Sequence, residues 1–183
     1  MNYAEIKYCD IANGAGVRTT LFVSGCRNHC EGCFNPGTWP FEAGELFTDE
    51  TASKIIESLE PAYVDGLTLL GGEPFEPENQ GALISLLRRV REEQPGKNVW
   101  AYSGFTWEQL VDGPSRAHTE QVLTMLELID VLVDGLFVLA RKDITLRFRG
   151  SSNQRILDVP RSLAAGKAIL WEDDPLFATH GLA

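Results

Sequence analysis

One stretch of the sequence decides the fold: Val17-Arg-Thr-Thr-Leu-Phe-Val-Ser-Gly-Cys26-Arg-Asn-His-Cys30-Glu-Gly-Cys33. Its first part, residues 17–24, alternates between two sets of side chains, as the residues of a β-strand do. One predicted face carries Val17, Thr19, Leu21 and Val23, and the other carries Arg18, Thr20, Phe22 and Ser24. The cysteines follow this strand directly. They begin a long predicted loop, residues 25–47, and a loop of that length in a compact domain is usually functional.

Three cysteines, Cys26, Cys30 and Cys33, lie within eight residues of one another. Closely spaced thiolates suit a [4Fe–4S] cluster, which has four irons and normally takes one cysteine on each of them. Three cysteine ligands would leave one iron free to bind another molecule. The pattern therefore indicates a reaction site and not only an electron store.

Zinc is the alternative metal for this triplet, because a tetrahedral zinc site accepts three cysteines and one histidine. His29 or the distant Cys9 would then supply the fourth ligand. His29 adjoins Cys30, however, and would have difficulty turning to the same metal. Structural zinc sites also usually consist of two spaced pairs, and the sequence has no second pair. We expect Cys9 to be a small, buried or half-buried hydrophobic residue.

The composition is that of one soluble globular domain, with 183 residues, 44% hydrophobic and 23% charged. No apolar run approaches the roughly 18 residues of a membrane span, and the N-terminus lacks the pattern of a signal peptide. We therefore expect a cytoplasmic protein with no membrane partner, in which clustered cysteines are more often metal ligands than disulfides.

The formal net charge of −10 argues against a nucleic-acid partner. The charge is unevenly distributed, because residues 141–167 contain seven basic and two acidic side chains. This basic segment is either a solvated face or a docking patch for an anionic ligand or an acidic partner.

Apolar periodicity predicts strands that alternate with helices after the cysteine loop. The predicted strands are 67–70, 99–101, 131–133, 144–148 and 168–171. The predicted helices contain 52–59, 83–90 and 122–129, and Thr48 is the predicted N-cap of the first. This alternation implies βα units and a mostly parallel sheet in an α/β fold.

Each unusual polar or glycine-rich motif directly follows a predicted strand. The motifs are the cysteine triplet, Gly71-Gly-Glu-Pro74, Tyr102-Ser-Gly104, Asp134-Gly135 and Arg149-Gly-Ser-Ser-Asn-Gln-Arg155. The C-terminal ends of parallel strands meet at one edge of a sheet, so we expect the five motifs to form a single site.

Two of these motifs suit particular ligand groups. Gly71-Gly-Glu-Pro74 combines a carboxylate with backbone that a ligand can approach closely, which suits an amino group. The arginines of residues 149–155 suit a carboxylate, although a polar turn between strands is an equally good interpretation. The sequence contains no Gly-x-Ser-x-Gly, His-Glu-x-x-His or P-loop motif, so hydrolase and ATPase functions have little support.

The spacing Cys26-x₃-Cys30-x₂-Cys33 resembles the cluster motif of the radical S-adenosylmethionine enzymes. More narrowly, the chain resembles the activating proteins of anaerobic ribonucleoside-triphosphate reductases over about residues 3–158. The resemblance lies in Asn13-Gly-x-Gly-Val-Arg-Thr-Thr-Leu-Phe-Val-Ser-Gly-Cys26, Cys33-Phe-Asn, Thr38-Trp39, Gly71-Gly-Glu-Pro-Phe-x-Pro-x-Asn79, Val99-Trp-Ala-Tyr-Ser-Gly-Phe105, Asp130-Val-Leu-Val-Asp-Gly135 and Arg149-Gly-Ser-Ser-Asn-Gln-Arg155. In the wider superfamily an aromatic residue tends to precede the third cysteine, where this chain has Gly32. Here Phe34 follows it instead, which resembles the reductase-activating proteins.

The resemblance implies a cofactor and its contacts. Cys26, Cys30 and Cys33 would hold a [4Fe–4S] cluster whose open iron binds the amino and carboxylate groups of S-adenosylmethionine. Gly72 and Glu73 would receive the amino group of the methionine part. The remaining implied contacts are backbone beside the adenine, at Gly32, Cys33 and Phe34, and two further residues, Ser103 and Asp134.

The resemblance also implies a reaction and its partners. Reduced flavodoxin or a similar donor would supply one electron, which splits the sulfonium into methionine and a 5′-deoxyadenosyl radical. That radical would take a hydrogen from a glycine of the partner anaerobic ribonucleoside-triphosphate reductase and leave a glycyl radical there.

The implied fold is an incomplete TIM-like barrel of about five or six βα units, because the chain is shorter than the roughly 250 residues of a complete barrel. Such a barrel would be open on one side to a protein-sized substrate. Residues 1–171 would form this radical S-adenosylmethionine domain, and residues 172–183 a loose C-terminal tail.

Other functions remain open. One is activation of a different glycyl-radical enzyme, such as pyruvate formate-lyase, although such activating proteins tend to be longer and some carry extra cysteine clusters. Another is non-enzymatic electron transfer by an Fe–S protein, which would need neither Gly71-Gly-Glu-Pro74 nor an open iron. A third is an interaction module stapled by zinc.

Overall fold

The computed structural model describes residues 1–172 and shows an α/β fold with one seven-stranded sheet. The strands are β1 (Asn2–Asp10), β2 (Arg18–Val23), β3 (Glu45–Leu46), β4 (Gly66–Gly71), β5 (Asn98–Tyr102), β6 (Val131–Asp134) and β7 (Arg155–Asp158). The helices are α1 (Asp49–Ser58), α2 (Pro77–Glu93), α3 (Trp107–Val111), α4 (Val122–Glu127) and α5 (Val159–Ala165), with short 3₁₀ turns at Pro36–Thr38 and Leu139–Arg141. In this part of the chain, none of the helices has the length and apolar character needed to cross a bilayer.

Four parallel strands form the centre of the sheet, whose order is β3-β1-β2-β4-β5-β6-β7. Strands β2, β4, β5 and β6 pair in parallel, with Thr20 opposite Thr68 and Thr68 opposite Trp100. Each connection between them contains a helix, which provides the long crossover that parallel neighbours require. The loops that follow the four strands consequently lie at one edge of the sheet.

Antiparallel strands extend the sheet on both sides. Strand β1 pairs with β2 and with β3, and β7 pairs with β6. Over residues 1–172 the sheet is open, because β3 and β7 stand at its two ends and do not pair with each other. The α/β architecture follows the predicted alternation of strands and helices, whereas the incomplete TIM-like barrel of five or six βα units stays a prediction.

Residues with a strong preference for helix N-termini mark the starts of the first two helices. Thr48 is the N-cap of α1, as predicted, and exchanges hydrogen bonds with Thr51 in a capping box. Pro77 begins α2, where its missing N–H costs nothing. The apolar residues predicted to face the core are buried in both helices: Ala52, Ile55 and Ile56 in α1, and Leu83, Ile84, Leu87 and Val90 in α2. They pack with the central strands in one core.

The strand prediction at 144–148 is wrong. These residues form turns and bends, Ile144 is 88% exposed, and the nearest pairing is a single bridge between Lys142 and Ser151. The apolar pattern arises because Leu146 and Phe148 line a cavity and do not belong to a sheet.

Both terminal parts of the sheet depart from the sequence patterns. Strands β1 and β7 are not predicted, because β1 is interrupted by bulges and mostly exposed or half-buried, and β7 has only four residues. The segment 168–171, predicted as a strand, makes one bridge, between Leu170 and Leu157 of β7. The predicted tail falls beyond Glu172, outside the described residues.

Both faces of β2 are buried, including the face that carries Arg18. Side chains alternate along a strand, so Trp100 lies on the opposite face of β5 from its neighbours Val99 and Ala101, and belongs to a second, smaller apolar cluster. The guanidinium of Arg18 lies 5.5 Å from the centre of the Trp100 ring. Arg18 therefore belongs to a second buried layer, which alternation alone does not reveal.

Arg18 is fully buried and is held by oxygen atoms of the surrounding strands and loop. Its Nε donates to Thr68 Oγ1 at 2.6 Å, and its Nη1 to Ala15 O at 2.9 Å. Its Nη2 donates to Leu67 O at 2.8 Å and to Asn98 O at 3.2 Å. Burial lowers the pKa of Arg18 to about 10, which still leaves the side chain charged at neutral pH. The planar fork of donors thus joins β2, β4 and β5.

Replacing Arg18 by lysine removes this fork and keeps the charge. We expect Arg18→Lys to lower the free energy of unfolding by about 3 kcal/mol, because buried acceptors lose their donors. Urea unfolding of the cluster-free protein measures this change. The control is Arg89→Lys, at a half-exposed ion pair with Glu93, which should stay within about 0.5 kcal/mol of the wild type. Equal stability of Arg18→Lys and the wild type would contradict the proposed importance of the fork.

Candidate metal and cofactor site

The loops at the C-terminal edge of the parallel strands enclose a cavity of about 360 Å³. All five predicted motifs contribute to its wall, with Cys26, Cys30, Cys33, Gly71, Gly72, Glu73, Tyr102, Ser103, Gly104, Gly135, Arg149, Gly150 and Gln154. The run 149–155 precedes β7 and does not follow a strand, in contrast to the prediction. It reaches this edge because β7 is antiparallel to β6, which places Arg155 opposite Asp134.

The cysteine loop folds back on itself so that its three thiols share the cavity wall. Cys26 is buried, and Cys30 and Cys33 are half-buried. The backbone N–H of Cys26 donates to Trp39 O at 3.0 Å, and that of Cys33 donates to Cys30 O at 3.1 Å. The N–H of Asn35 approaches Cys33 Sγ at 3.4 Å. These bonds join the start of the cysteine segment to residue 39 and close a turn between Cys30 and Cys33.

Two of the thiols, those of Cys26 and Cys30, favour their protonated form. Burial raises the pKa of Cys26 to about 11 and also raises the pKa of Cys30. Metals bind the thiolate, so a metal or cluster would displace these protons. Over residues 1–172, no three His, Cys, Asp or Glu side chains are placed to hold one metal ion. Each iron of a cluster takes its own thiolate, so cluster ligands need not converge on one point, and this donor set fits three irons of a [4Fe–4S] cluster.

Neither alternative fourth ligand of a zinc site lies on the cavity wall. His29 stacks on Trp39, with ring centroids 4.6 Å apart. Cys9 is exposed on β1, so the prediction of a buried or half-buried residue is wrong. Its φ of 53° falls where the register between β1 and β2 shifts, and the strand regularity that would bury it is lost there.

Glu73 is buried, and both its carboxylate oxygens are occupied by donors. Oε1 accepts hydrogen bonds from Phe75 N (3.0 Å) and Ser103 Oγ (3.0 Å). Oε2 accepts from Gly104 N (2.7 Å) and from Asn28 Nδ2 (3.1 Å). Burial raises the pKa of Glu73 to about 7. The hydrogen bonds favour the charged form and so lower the pKa, but burial has the larger effect. Glu73 lines the cavity and its carboxylate joins three loops of the protein, whereas its contact with an amino group stays a prediction.

Gly72 and Ser103 support this arrangement. A Cβ on Gly72 would lie 2.6 Å from Gly25 O, so only glycine allows the motif to pack against the start of the cysteine loop. The Ser103 hydroxyl donates to Glu73 and accepts from Phe105 N at 3.0 Å. Both residues line the cavity, but the hydroxyl of Ser103 is used within the protein.

Asp134 does not face the cavity, in contrast to the predicted cofactor contact. Its carboxylate is buried, accepts from Trp107 N at 2.7 Å at the start of α3, and pairs with Arg155. Glu108 shares that arginine. Gly135, the next residue, lines the cavity in its place.

Besides Cys33, two residues are predicted to lie beside the adenine: Phe34, which lines the cavity, and Gly32, which does not. Phe34 lines the wall, is 63% exposed, and contacts Phe137 edge to face with centroids 5.2 Å apart. Gly32 has a φ of 71° and is not part of the wall, and a Cβ there would lie 2.9 Å from Leu139 Cδ1. The positive φ of this turn favours glycine, whereas the end of the exposed Leu139 side chain can move away from a Cβ.

Three buried donors of wall residues lack a partner within residues 1–172. They are Trp39 Nε1, the Tyr102 hydroxyl and Arg149 Nε. Arg149 uses its Nη1 to bind Gln154 O at 3.1 Å. A buried donor without an acceptor costs about 1–3 kcal/mol, so these atoms mark places where a ligand acceptor would fit. The sequence indicates Arg149 as a candidate for a carboxylate, and it indicates Tyr102 only as part of the Tyr102-Ser-Gly104 motif.

The basic segment 141–167 does not form one uniform surface. Arg155 is bound by Asp134 and Glu108, and Arg161 pairs with Glu172 at 3.4 Å. Lys142 lies 5.3 Å from the centre of the Phe34 ring, at the rim of the cavity. Several of its charges are therefore used within the protein.

The raised pKa of Cys26 predicts a slow thiol. In cluster-free protein at pH 8, we expect Cys26 to react with iodoacetamide about 100-fold more slowly than an unperturbed thiol, since two pKa units reduce the thiolate fraction by that factor. Mass spectrometry of the labelled peptides measures the rate, and the exposed Cys9 serves as the internal reference. Labelling of Cys26 as fast as Cys9 would show that the loop is open.

Residues 12–157 match the family model described as a 4Fe-4S single cluster domain. Three similar curated proteins are all named anaerobic ribonucleoside-triphosphate reductase-activating protein. The protein of Vibrio cholerae serotype O1 is 42% identical over 158 residues, which cover 85% of this chain and 97% of the relative. The protein of Escherichia coli (strain K12) is 40% identical over 156 residues, covering 84% and 96%. That of Enterobacteria phage T4 is 37% identical over 158 residues, covering 85% and 93%.

The matched region begins before the cysteine loop and ends in β7, so it contains the whole cavity wall. The sequence identity of about 40% extends over nearly the full length of the relatives, so the similarity covers far more than the cysteine motif. The chain belongs to the family of anaerobic ribonucleoside-triphosphate reductase-activating proteins and contains its 4Fe-4S single cluster domain.

Proposed function

We propose that this chain is a radical S-adenosylmethionine enzyme that generates a glycyl radical on an anaerobic ribonucleoside-triphosphate reductase. The observation that carries the proposal is the cavity wall, where three thiols meet the glycine motif and residues with unpaired buried donors. When bound, the reduced [4Fe–4S] cluster supplies one electron to the sulfonium of S-adenosylmethionine, which yields methionine and a 5′-deoxyadenosyl radical that takes hydrogen from a glycine of the reductase.

The cysteines hold the cluster and leave its fourth iron to the cofactor. Cys26, Cys30 and Cys33 would each release a proton and bind one iron. The family model supports this assignment, since it describes a single 4Fe-4S cluster. His29, which stacks on Trp39, and Cys9, which is exposed on β1, would not reach the fourth iron as ligands.

We assign a different part of the cofactor to each polar group of the wall. Arg149 Nε is a charged, unpaired donor, which suits the cofactor carboxylate. The Tyr102 hydroxyl suits a second acceptor of the cofactor. Because four donors already occupy Glu73, we assign the amino group to the backbone at Gly71 and Gly72, and Glu73 holds that backbone in place.

The apolar part of the wall keeps water from the reacting atoms. Leu70, Phe137, Leu146 and Phe148 line the cavity, and Phe34 stands at its rim. A radical needs such protection, and in cofactor enzymes the protein contributes orientation and exclusion of competing reactions. We assign the entry of the reductase glycine to this rim, because Phe34 is exposed there. Reduced flavodoxin or a similar donor would supply the electron.

Cleavage of S-adenosylmethionine tests the proposed reaction. We expect protein reconstituted anaerobically with iron and sulfide, then reduced, to release 5′-deoxyadenosine, and we expect Cys30→Ala to abolish the release because one iron loses its ligand. Liquid chromatography measures the product. Cys9→Ala is the matched control and should retain it. A reconstituted wild type that binds zinc tightly and forms no product would contradict the proposal in favour of a zinc-stapled module.

Binding of S-adenosylmethionine tests the role of Arg149. We expect Arg149→Gln to weaken binding about tenfold, because a charged hydrogen bond to the carboxylate is lost, worth about 1.5–3 kcal/mol. Equilibrium dialysis with labelled cofactor measures the change on the cluster-containing protein. Arg141→Gln removes a nearby exposed charge and should have little effect. Unchanged affinity in Arg149→Gln would remove Arg149 from the cofactor site.

A further inference from the structure

The first half of the cysteine loop is held by a group of charged and amide side chains that are not thiols. We call this group the loop clamp; its members are Arg27, Asn28, Glu73, Glu76 and Arg116. Two of them, Arg27 and Asn28, lie between the first two cysteines. The other three come from the glycine motif, the start of α2 and the segment before α4. The clamp therefore joins the loop to three separate parts of the chain.

Glu76 is the centre of the loop clamp and is fully buried. Its Oε1 accepts a hydrogen bond from the backbone N–H of Arg27 at 2.9 Å, and its Oε2 pairs with Arg27 Nη1 at 2.8 Å. Arg116 approaches from the other side, with Nε 3.0 and 3.1 Å from the two oxygens and Nη2 2.9 Å from Oε1. One buried carboxylate thus holds both the backbone and the side chain of the residue that follows Cys26.

Asn28 links Arg116 to Glu73 through hydrogen bonds. Its Oδ1 accepts from Arg116 Nη2 at 2.6 Å, and its Nδ2 donates to Glu73 Oε2 at 3.1 Å. Aromatic rings support both guanidiniums, since Arg116 lies 4.6 Å from the centre of Phe105 and Arg27 lies 4.4 Å from that of Phe41.

We propose that Glu76 and Arg116 are positioning residues for the cluster. They fix the Cys26–Cys30 segment in the protein before a cluster is present, and their charges set the electrostatic potential at the buried Cys26. The second part of this inference rests on the proposed function, because it concerns the cluster that the thiols would hold. The first part concerns the cluster-free chain alone.

The two charges act on the cluster in opposite directions. Glu76 lies close to Cys26, because its Oε1 accepts a hydrogen bond from the backbone N–H of the next residue, Arg27, at 2.9 Å. A negative charge beside a cluster disfavours the added electron and lowers the reduction potential, whereas a positive charge raises it. Arg116 offsets Glu76 directly, since the pair is in contact and the carboxylate has no exposure to water. Removal of Glu76 takes a negative charge away from the cluster site, and removal of Arg116 leaves Glu76 with Arg27 as its one charged partner in the clamp.

Thiol labelling tests the positioning role without a cluster. We expect Cys26 in Glu76→Gln and in Arg116→Lys to react with iodoacetamide roughly tenfold faster than in the wild type, because breaking a buried ion pair lowers the cost of opening the loop. Arg116→Lys keeps the charge, and its side chain is partly exposed, so this variant should fold. Its labelling rate can then be measured even if Glu76→Gln fails to fold. Glu93→Gln and Arg89→Lys alter an ion pair at the far end of the same helix and should leave the rate unchanged.

The reduction potential tests the electrostatic role. We expect Glu76→Gln to raise the potential of the reconstituted cluster and Arg116→Gln to lower it, as followed by electron paramagnetic resonance in a redox titration. Arg116→Lys should lie near the wild type. Loss of structure alone would not produce shifts of opposite sign.

Two results would overturn the inference: labelling rates equal to the wild type in both clamp variants, or potentials that move in the same direction in Glu76→Gln and Arg116→Gln. Neither measurement requires S-adenosylmethionine. A chain that fails to cleave the cofactor would therefore count against the proposed function and leave the clamp to be judged by these two results.

Discussion

The site depends on one buried carboxylate that no ligand needs to touch. Glu73 takes hydrogen bonds from its own turn, from the Ser103-Gly104 turn after β5 and from Asn28 in the cysteine loop. These segments follow three neighbouring parallel strands, β4, β5 and β2. Burying a carboxylate is costly unless donors surround it, and here four donors do. The strand ends therefore cannot move independently, and the cavity between them keeps its shape.

The parallel sheet and the carboxylates act on different scales. Parallel pairing delivers the loops to one edge, and Arg18 joins the strands beneath them with a fork of hydrogen bonds. Glu73 and Glu76 then fix the loops relative to each other, and Asp134 does the same for the start of α3 and for Arg155. Trp39, Tyr102 and Arg149 each keep one unpaired buried donor in the described wall. Acidic residues thus hold the loops in place, and thiols, glycines and these donors are left for the ligand.

The sequence predicted the location of the site better than the role of each residue. Cysteine spacing and the position of each motif at a strand end placed Cys26, Gly72 and Ser103 around one cavity, because strand periodicity and the geometry of parallel sheets are local and regular. The hydrogen-bond partners of Glu73 and Asp134 could not be predicted, because they come from residues distant in sequence. The wrong strand at 144–148 has the same origin, since its apolar pattern serves the cavity wall. The prediction that Cys9 is buried or half-buried is wrong, because the register shift in β1 leaves it exposed.

The most direct test of the account follows one hydrogen atom. The partner reductase would be prepared with deuterated glycine and mixed anaerobically with the reconstituted, reduced chain and S-adenosylmethionine. The account predicts 5′-deoxyadenosine that carries one deuterium, measured by mass spectrometry, together with a glycyl-radical signal in electron paramagnetic resonance. Formation of 5′-deoxyadenosine without deuterium and without the radical signal would contradict it.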